Sequence, residues 1–199
     1  MGNKEMLSFY DDELNEIGIT LRSEIHLKGL LHQVVHCWIV DKVCQEKWIY
    51  LQQRSYKKKD FPGLYDISAA GHVDIGEEAE VAAIRETQEE IGIVINPKKL
   101  KFIGSIREEM QLDNFFNNEI CNVYLYSVEN PNFELGHEVE KMVKVSFSEF
   151  KKWILEGAKN IVALSIDGKS KIKINSHDFC PHKNEYLKFI VDFMENTIT

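Results

Sequence analysis

The chain has 199 residues, 44% of them hydrophobic and 28% charged, with only four prolines, a length and mix that bury a substantial core and fit one domain over residues 1–199 rather than a disordered segment. Acidic side chains outnumber Lys and Arg by 32 to 24, and the net charge of −8 argues against a nucleic-acid polymer or an anionic membrane as partner, though a small anionic ligand remains compatible if a cation or a local basic patch receives it. The opening MGNKEMLSFYDDELNE does not resemble a signal peptide and no run reaches the ~20 apolar residues of a membrane helix; a cytoplasmic protein is expected, with Cys37, Cys44, Cys121 and Cys180 as reduced thiols lacking any CxxC pair.

In chain order, residues 1–30 read as an N-terminal extension with strands. His32 to Val40 and Trp48 to Gln53 are β-branched and aromatic runs of strand length, joined by the polar DKVCQEK. Arg54, Lys57, Lys58 and Lys59 follow as the densest basic cluster. A lysine run is ordinarily a solvated turn. DFPGLYD signals a turn, Ile67 to Val73 is short and built of small residues, and a helix is predicted from about Glu77 to Ile91, stopping at Gly92. Leu100 to Ser105, Ile120 to Val128 and Val139 to Val145 read as strands, and Phe147 to Glu156 and Asn184 to Glu195 as helices, the last with Tyr186, Leu187, Ile190 and Phe193 at core spacing. Residues 177–199 are expected as a C-terminal helix packed on the domain. Its entry, HDFCPH, holds two histidines and a cysteine but no second ligand pair, and reads as a loop rather than a zinc site. Trp38, Trp48 and Trp153 read as core or strand-face residues. Such mixed order predicts an α/β layered fold with a mixed sheet.

Between Asp74 and Glu90 stand seven acidic residues and one basic one, Arg85. At ~100° per residue, Glu86, Glu89 and Glu90 share one helix face, with Ala79, Ala82 and Ala83 continuing it and little bulk to keep a ligand away. Like charges at i,i+4 destabilise a helix by a few tenths of a kcal/mol, so a cation should compensate. Hard oxygen donors suit Mg²⁺, with Mn²⁺ as the alternative. Arg85 lies beside the face and can orient one carboxylate, with Glu77 as a partner.

Gly71, Glu77, Arg85, Glu86, Glu89, Glu90 and Gly92 stand in the pattern G-x5-E-x7-R-E-U-x-E-E-x-G-U, where U is bulky and apolar. This resembles the Nudix box, the signature of Nudix hydrolases. The last U is Ile93, and the one departure is Thr87, whose methyl can pack while its hydroxyl bonds back to the Ala83 carbonyl. The resemblance implies an α/β/α sandwich carrying a loop-helix-loop and a Mg²⁺-dependent attack of water on a diphosphate linkage. It implies Glu86, Glu89, Glu90 and the Gly71 carbonyl as metal ligands, one glutamate doubling as base, with Glu77, Arg85 and Gly92 supporting them.

LHQVVHCWIV, LQQRSYKKKDFPGLYDISAAGH and NEICNVY are similar to the branch that contains isopentenyl-diphosphate isomerase. That branch carries a catalytic cysteine in a CxH segment, and here the cysteine position is Ala70 before His72; alanine can neither donate nor accept the proton. Arg54 and Lys58 match its diphosphate contacts. Its second metal site uses two upstream histidines and two glutamates. His32 matches, His26 matches with a one-residue shift, Glu119 matches one glutamate, and Asn117 stands for the other. The missing ligand favours His26 and His32 as strand-end or core histidines with backbone partners, and leaves His32 with His72 for any second metal. Glu119 is a candidate base, with Glu108 and Glu109 weaker candidates. The expected activity is hydrolysis of a nucleoside diphosphate derivative or nucleotide, ahead of a prenyl-diphosphate isomerase and of a non-catalytic nucleotide-binding module. Nudix enzymes are often dimers, so a homodimer is compatible.

Overall fold

The computed structural model describes residues 5–43, 46–112 and 115–197. Cys44 and part of the predicted DKVCQEK connection lie outside them. The strands are β1 (Met6–Tyr10), β2 (Glu16–Leu21), β3 (His32–Val43), β4 (Glu46–Arg54), β5 (Tyr65–Asp66), β6 (Ala69–His72), β7 (Lys101–Leu112), β8 (Phe115–Ser127), β9 (Val139–Ser146), β10 (Asn160–Ser165) and β11 (Lys171–Asn175). The helices are α1 (Arg22–Lys28), α2 (Ala79–Ile91), α3 (Phe147–Leu155) and α4 (Asn184–Thr197). β1 and β2 form a separate hairpin. The other nine strands make one mixed sheet in the order β11-β10-β9-β4-β3-β8-β7, with β5 on β4 and β6 on β3. β3 runs parallel to β8 and antiparallel to β4 and β6.

β3 explains the layering. Val34, Trp38 and Val40 face one core, with Phe150, Trp153, Tyr186, Ile190 and Met194 of α3 and α4. Val35, Cys37 and Ile39 face the other, with Ala82, Ala83 and Ile91 of α2. Alternate side chains of a strand point to opposite faces, so a strand buried on both faces reads as a continuous apolar run, as VVHCWIV does. Helices therefore cover both faces of the sheet. No helix among the described residues is long and apolar enough to cross a membrane.

Several elements differ from the sequence expectation. α2 begins at Ala79 instead of Glu77, because the Glu77 carboxylate bonds to the Asp74 backbone N–H and to Arg85 and so sits in the loop ahead of the helix. Gly92 ends α2 at φ 72°, where its N–H bonds to the Gln88 carbonyl, and a Cβ there would stand 2.6 Å from that of Glu134. β7 runs on to Leu112 and β8 starts at Phe115, which puts Glu108, Glu109 and Glu119 on strands. The β10–β11 hairpin and α1 were not expected.

Candidate active site

One cavity of about 530 Å³ opens between the C-terminal end of β6, the face of α2 and the segment before α4, lined among others by Arg54, Lys58, Gly71, Glu86, Glu119 and His182. The sheet register builds it. His32 pairs with Glu119 across the parallel β3–β8 ladder, Glu119 with Glu108 across β8–β7, and Val34 with His72 across β3–β6. Residues paired across neighbouring strands project their side chains to the same face, so one row of the sheet carries His32, Glu119 and Glu108.

Arg85 organises the acidic helix. Its Nε and Nη2 donate to the two Glu77 oxygens at 3.0 and 2.8 Å, Nη2 also to the His72 carbonyl at 3.0 Å, and Nη1 to Glu86 Oε1 at 2.6 Å. Planar guanidinium geometry suits this bidentate grip. Glu89 lies 3.6 Å from Arg85 Nη1 and is largely exposed at the mouth. Glu90 is 3% exposed; its Oε2 accepts from Gln52 Nε2 at 2.9 Å and from the Ala70 N–H at 3.0 Å, with Lys58 Nζ 4.0 Å from Oε1. Burial raises the pKa of both Glu86 and Glu90 to about 7, and Arg85 and Lys58 only partly offset it. Gly71 packs so closely that a Cβ there would lie 2.0 Å from Glu86 Cδ. Thr87 is fully buried and donates to the Ala83 carbonyl at 2.7 Å.

This donor set fits a divalent cation. The half-buried Glu86 and the buried Glu90 stand on one helix face with too little positive charge between them, which a hard ion with oxygen ligands would supply.

Of the two histidines expected to have backbone partners, His32 has one and His26 does not. His26, His32 and His72 each bring a ring nitrogen within 4.8 Å of the others. His32 does have a backbone partner, since Nδ1 donates to the Leu30 carbonyl at 3.0 Å. Nε2 points to Glu119 Oε1, 3.5 Å away. Among the described residues His26 has no hydrogen-bond partner for either ring nitrogen, and burial, with the neighbouring His32 and His72, lowers its pKa to about 4. His26 is therefore not a core histidine tied to backbone. Imidazoles gathered this closely, with both His26 nitrogens unpartnered among the described residues, suit a borderline cation. His72 Nδ1 lies 3.0 Å from Glu5 Oε1, so the N-terminal extension brings a carboxylate to the histidine cluster.

Arg54 is buried, with Nη1 donating to Asp66 Oδ2 at 3.2 Å and Nε and Nη2 to the Asp60 carbonyl. Lys58 is bonded to Glu138 beside Glu90. Lys57 and Lys59 are exposed. Glu108 is buried and Glu109 half-exposed beside Arg107 and Lys183. Asp66, His182, Arg22 and Glu5 also line the cavity and were not singled out from sequence. Asp66 stood within a turn signal and His182 within a tail read as a loop.

Comparisons with known proteins agree on family and fold. The model of the NUDIX domain matches residues 30–164. An uncharacterized Nudix hydrolase of Clostridium acetobutylicum is 33% identical, covering 94% of this chain and 96% of its own. An isopentenyl-diphosphate Delta-isomerase of Photorhabdus laumondii is 28% identical over 75% of this chain and 84% of its own. Among solved structures, a Deinococcus radiodurans protein superposes with a TM-score of 0.61 at 19% identity, over 77% of this chain and 90% of its own. A MutT protein of Methanosarcina mazei does so with 0.57 at 18%, over 84% and 96%.

Proposed function

The chain belongs to the Nudix family and is similar to its hydrolases, and from that premise we propose that it cleaves a diphosphate linkage in a nucleoside diphosphate derivative or nucleotide, by Mg²⁺-dependent attack of water at phosphorus. One observation carries the reading: the half-buried Glu86 and the buried Glu90 stand under-neutralised on one helix face, and Glu90 is bonded to the N–H of Ala70, whose methyl occupies the place where an isomerase of this branch needs a thiol. Glu86, Glu89, Glu90 and the Gly71 carbonyl would hold the ion, Mn²⁺ being the alternative. Bound there, it would neutralise phosphoryl oxygens and lower the pKa of the attacking water.

The chain's own side chains do the rest. Arg54 and Lys58 bind the diphosphate, and Arg85 with Glu77 keeps Glu86 turned into the cavity while one box carboxylate receives the proton of the water. Glu119, 3.5 Å from His32 Nε2, belongs with His26, His32 and His72 around a second cation rather than with the base. That cluster favours a second reading, isomerisation of a prenyl diphosphate, against which Ala70 stands because it cannot move a proton. A panel of nucleoside diphosphates, dinucleotides, sugar nucleotides and prenyl diphosphates with Mg²⁺ decides between them. Phosphate-bond cleavage abolished by Glu90→Gln supports the hydrolase. Conversion of isopentenyl diphosphate without phosphate release overturns it, as does tight binding of a nucleotide with no turnover.

A further inference from the structure

The wall of the cavity around His182 is made of side chains that lie outside the box. The His182 side chain is 10% exposed, with Nδ1 2.7 Å from Glu108 Oε2 and Nε2 3.0 Å from Asp66 Oδ1. Facing a carboxylate at each nitrogen, the ring carries both protons. Burial opposes that charge, and the hydrogen bonds to Asp66 and Glu108 outweigh it, raising the pKa to about 10. Asp66 also accepts from Arg54 Nη1 at 3.2 Å and from the Ile67 N–H at 2.8 Å, and Glu108 accepts from the Lys183 N–H at 2.7 Å. The imidazole stacks on Tyr186 at 5.1 Å, and the Tyr186 hydroxyl is fixed by Trp38 Nε1 at 2.9 Å and His36 Nδ1 at 2.8 Å. Arg54, Asp66, His182 and Glu108 thus form a rigid row with two positive and two negative charges.

Beyond the two N–H donors that Arg54 keeps for a phosphate, what the row has left to offer is all of one kind. The His182 donors are used. Asp66 Oδ2 and Glu108 Oε1 each accept one bond and keep a lone pair. Asn117 Oδ1, also on the cavity, is buried without a partner among the described residues. A further phosphate, an acceptor itself, gains nothing from such a wall, and a hydrocarbon chain would strand its acceptors at roughly 1–3 kcal/mol each. Hydroxyl groups donate to it. Buried acidic side chains take ribose hydroxyls in this way in dinucleotide folds.

We propose that the Asp66–His182–Glu108 wall is the subsite for a hydroxylated group, a ribose or hexose, carried on the diphosphate. The inference rests on Arg54 and Lys58 holding the diphosphate end. Arg54 is the link, because the guanidinium that would hold a phosphate is bonded to Asp66, so the group next along the substrate meets the wall. A cavity of about 530 Å³ falls within the roughly 300–1,000 Å³ usual for small-ligand sites.

Calorimetry on the full chain with Mg²⁺ and non-hydrolysable methylene-bridged diphosphonates tests this, comparing a ribosyl derivative, an isoamyl derivative and the unsubstituted diphosphonate. The ribosyl compound is expected to bind at least tenfold more tightly than the isoamyl compound, and Glu108→Met, which removes the acceptor, to cut that preference below threefold. An isoamyl compound that binds as well as the ribosyl one overturns the inference, and so does a folded Glu108→Met protein that keeps the preference. The wild-type ligand pair decides alone if that variant does not fold. Since the readout is binding, an absence of turnover would refute the hydrolase reading separately. Failure of the unsubstituted diphosphonate and both derivatives to bind would overturn the subsite together with the diphosphate end.

Discussion

Replacing Glu90 by Gln should strengthen the fold while disabling the site. Burial lifts the Glu90 pKa from the ordinary 4.5 to about 7, and each unit corresponds to about 1.4 kcal/mol between protonation states. The folded chain holds this proton more tightly than the unfolded one, so its contribution is most favourable below pH 4.5 and is lost as pH rises to 7. The loss reaches about 3 kcal/mol above pH 7 and is only about 1 kcal/mol at pH 5.5. A glutamine carries no charge to desolvate, and its carbonyl can still accept from Gln52 Nε2 and the Ala70 N–H as Glu90 Oε2 does. Urea denaturation with a chelator present should therefore find Glu90→Gln more stable than wild type, by about 3 kcal/mol at pH 8 and about 1 kcal/mol at pH 5.5. Mg²⁺-dependent turnover should fall at least about a hundredfold. A variant less stable than wild type at pH 8, or a gap that does not grow with pH, would refute the reasoning.

Gly71→Ala should drive the Glu86 carboxyl aside, because its Cβ would lie 2.0 Å from Cδ; steady-state kinetics should show a loss of about a hundredfold or more, and near-wild-type rates would contradict the packing. Arg85→Lys keeps the charge but cannot reach Glu77, Glu86 and the His72 carbonyl together, so activity should drop about tenfold or more; in a double-mutant cycle Arg85→Ala and Glu77→Ala should couple by about 1 kcal/mol or more, whereas strict additivity would argue against the pair. His26→Ala should remove one equivalent of tightly bound Mn²⁺ by elemental analysis and leave the box ion in place, and unchanged stoichiometry would show that the imidazoles are not ligands.

The acidic helix was legible because every feature of it is local. Glu86, Glu89 and Glu90 share a face by helical period, Gly92 caps the helix at positive φ, and Thr87 bonds back within its own turn. β3 was legible for a similar reason, its two-faced burial appearing as an unbroken apolar run. The β10–β11 hairpin was hidden because its exposed positions, Lys171 and Lys173, give short strands of weak pattern. Meetings between distant segments could not be read. His26 reaches His72 only after α1 folds beneath β8, and His182 reaches Asp66 across 116 positions. Nor does sequence tell which lysine of three is half-buried; Lys58 is, because it reaches Glu138 and Glu90.

Incubation of the best substrate from the panel with Mg²⁺ in ¹⁸O-labelled water, followed by mass spectrometry of the products, tests the central claim most directly. Attack of water at phosphorus predicts one ¹⁸O in a phosphoryl product at each cleavage, none without the divalent ion, and none from Glu90→Gln. Label that appears only in the non-phosphoryl fragment, or a rearranged diphosphate with its phosphates intact, would contradict it.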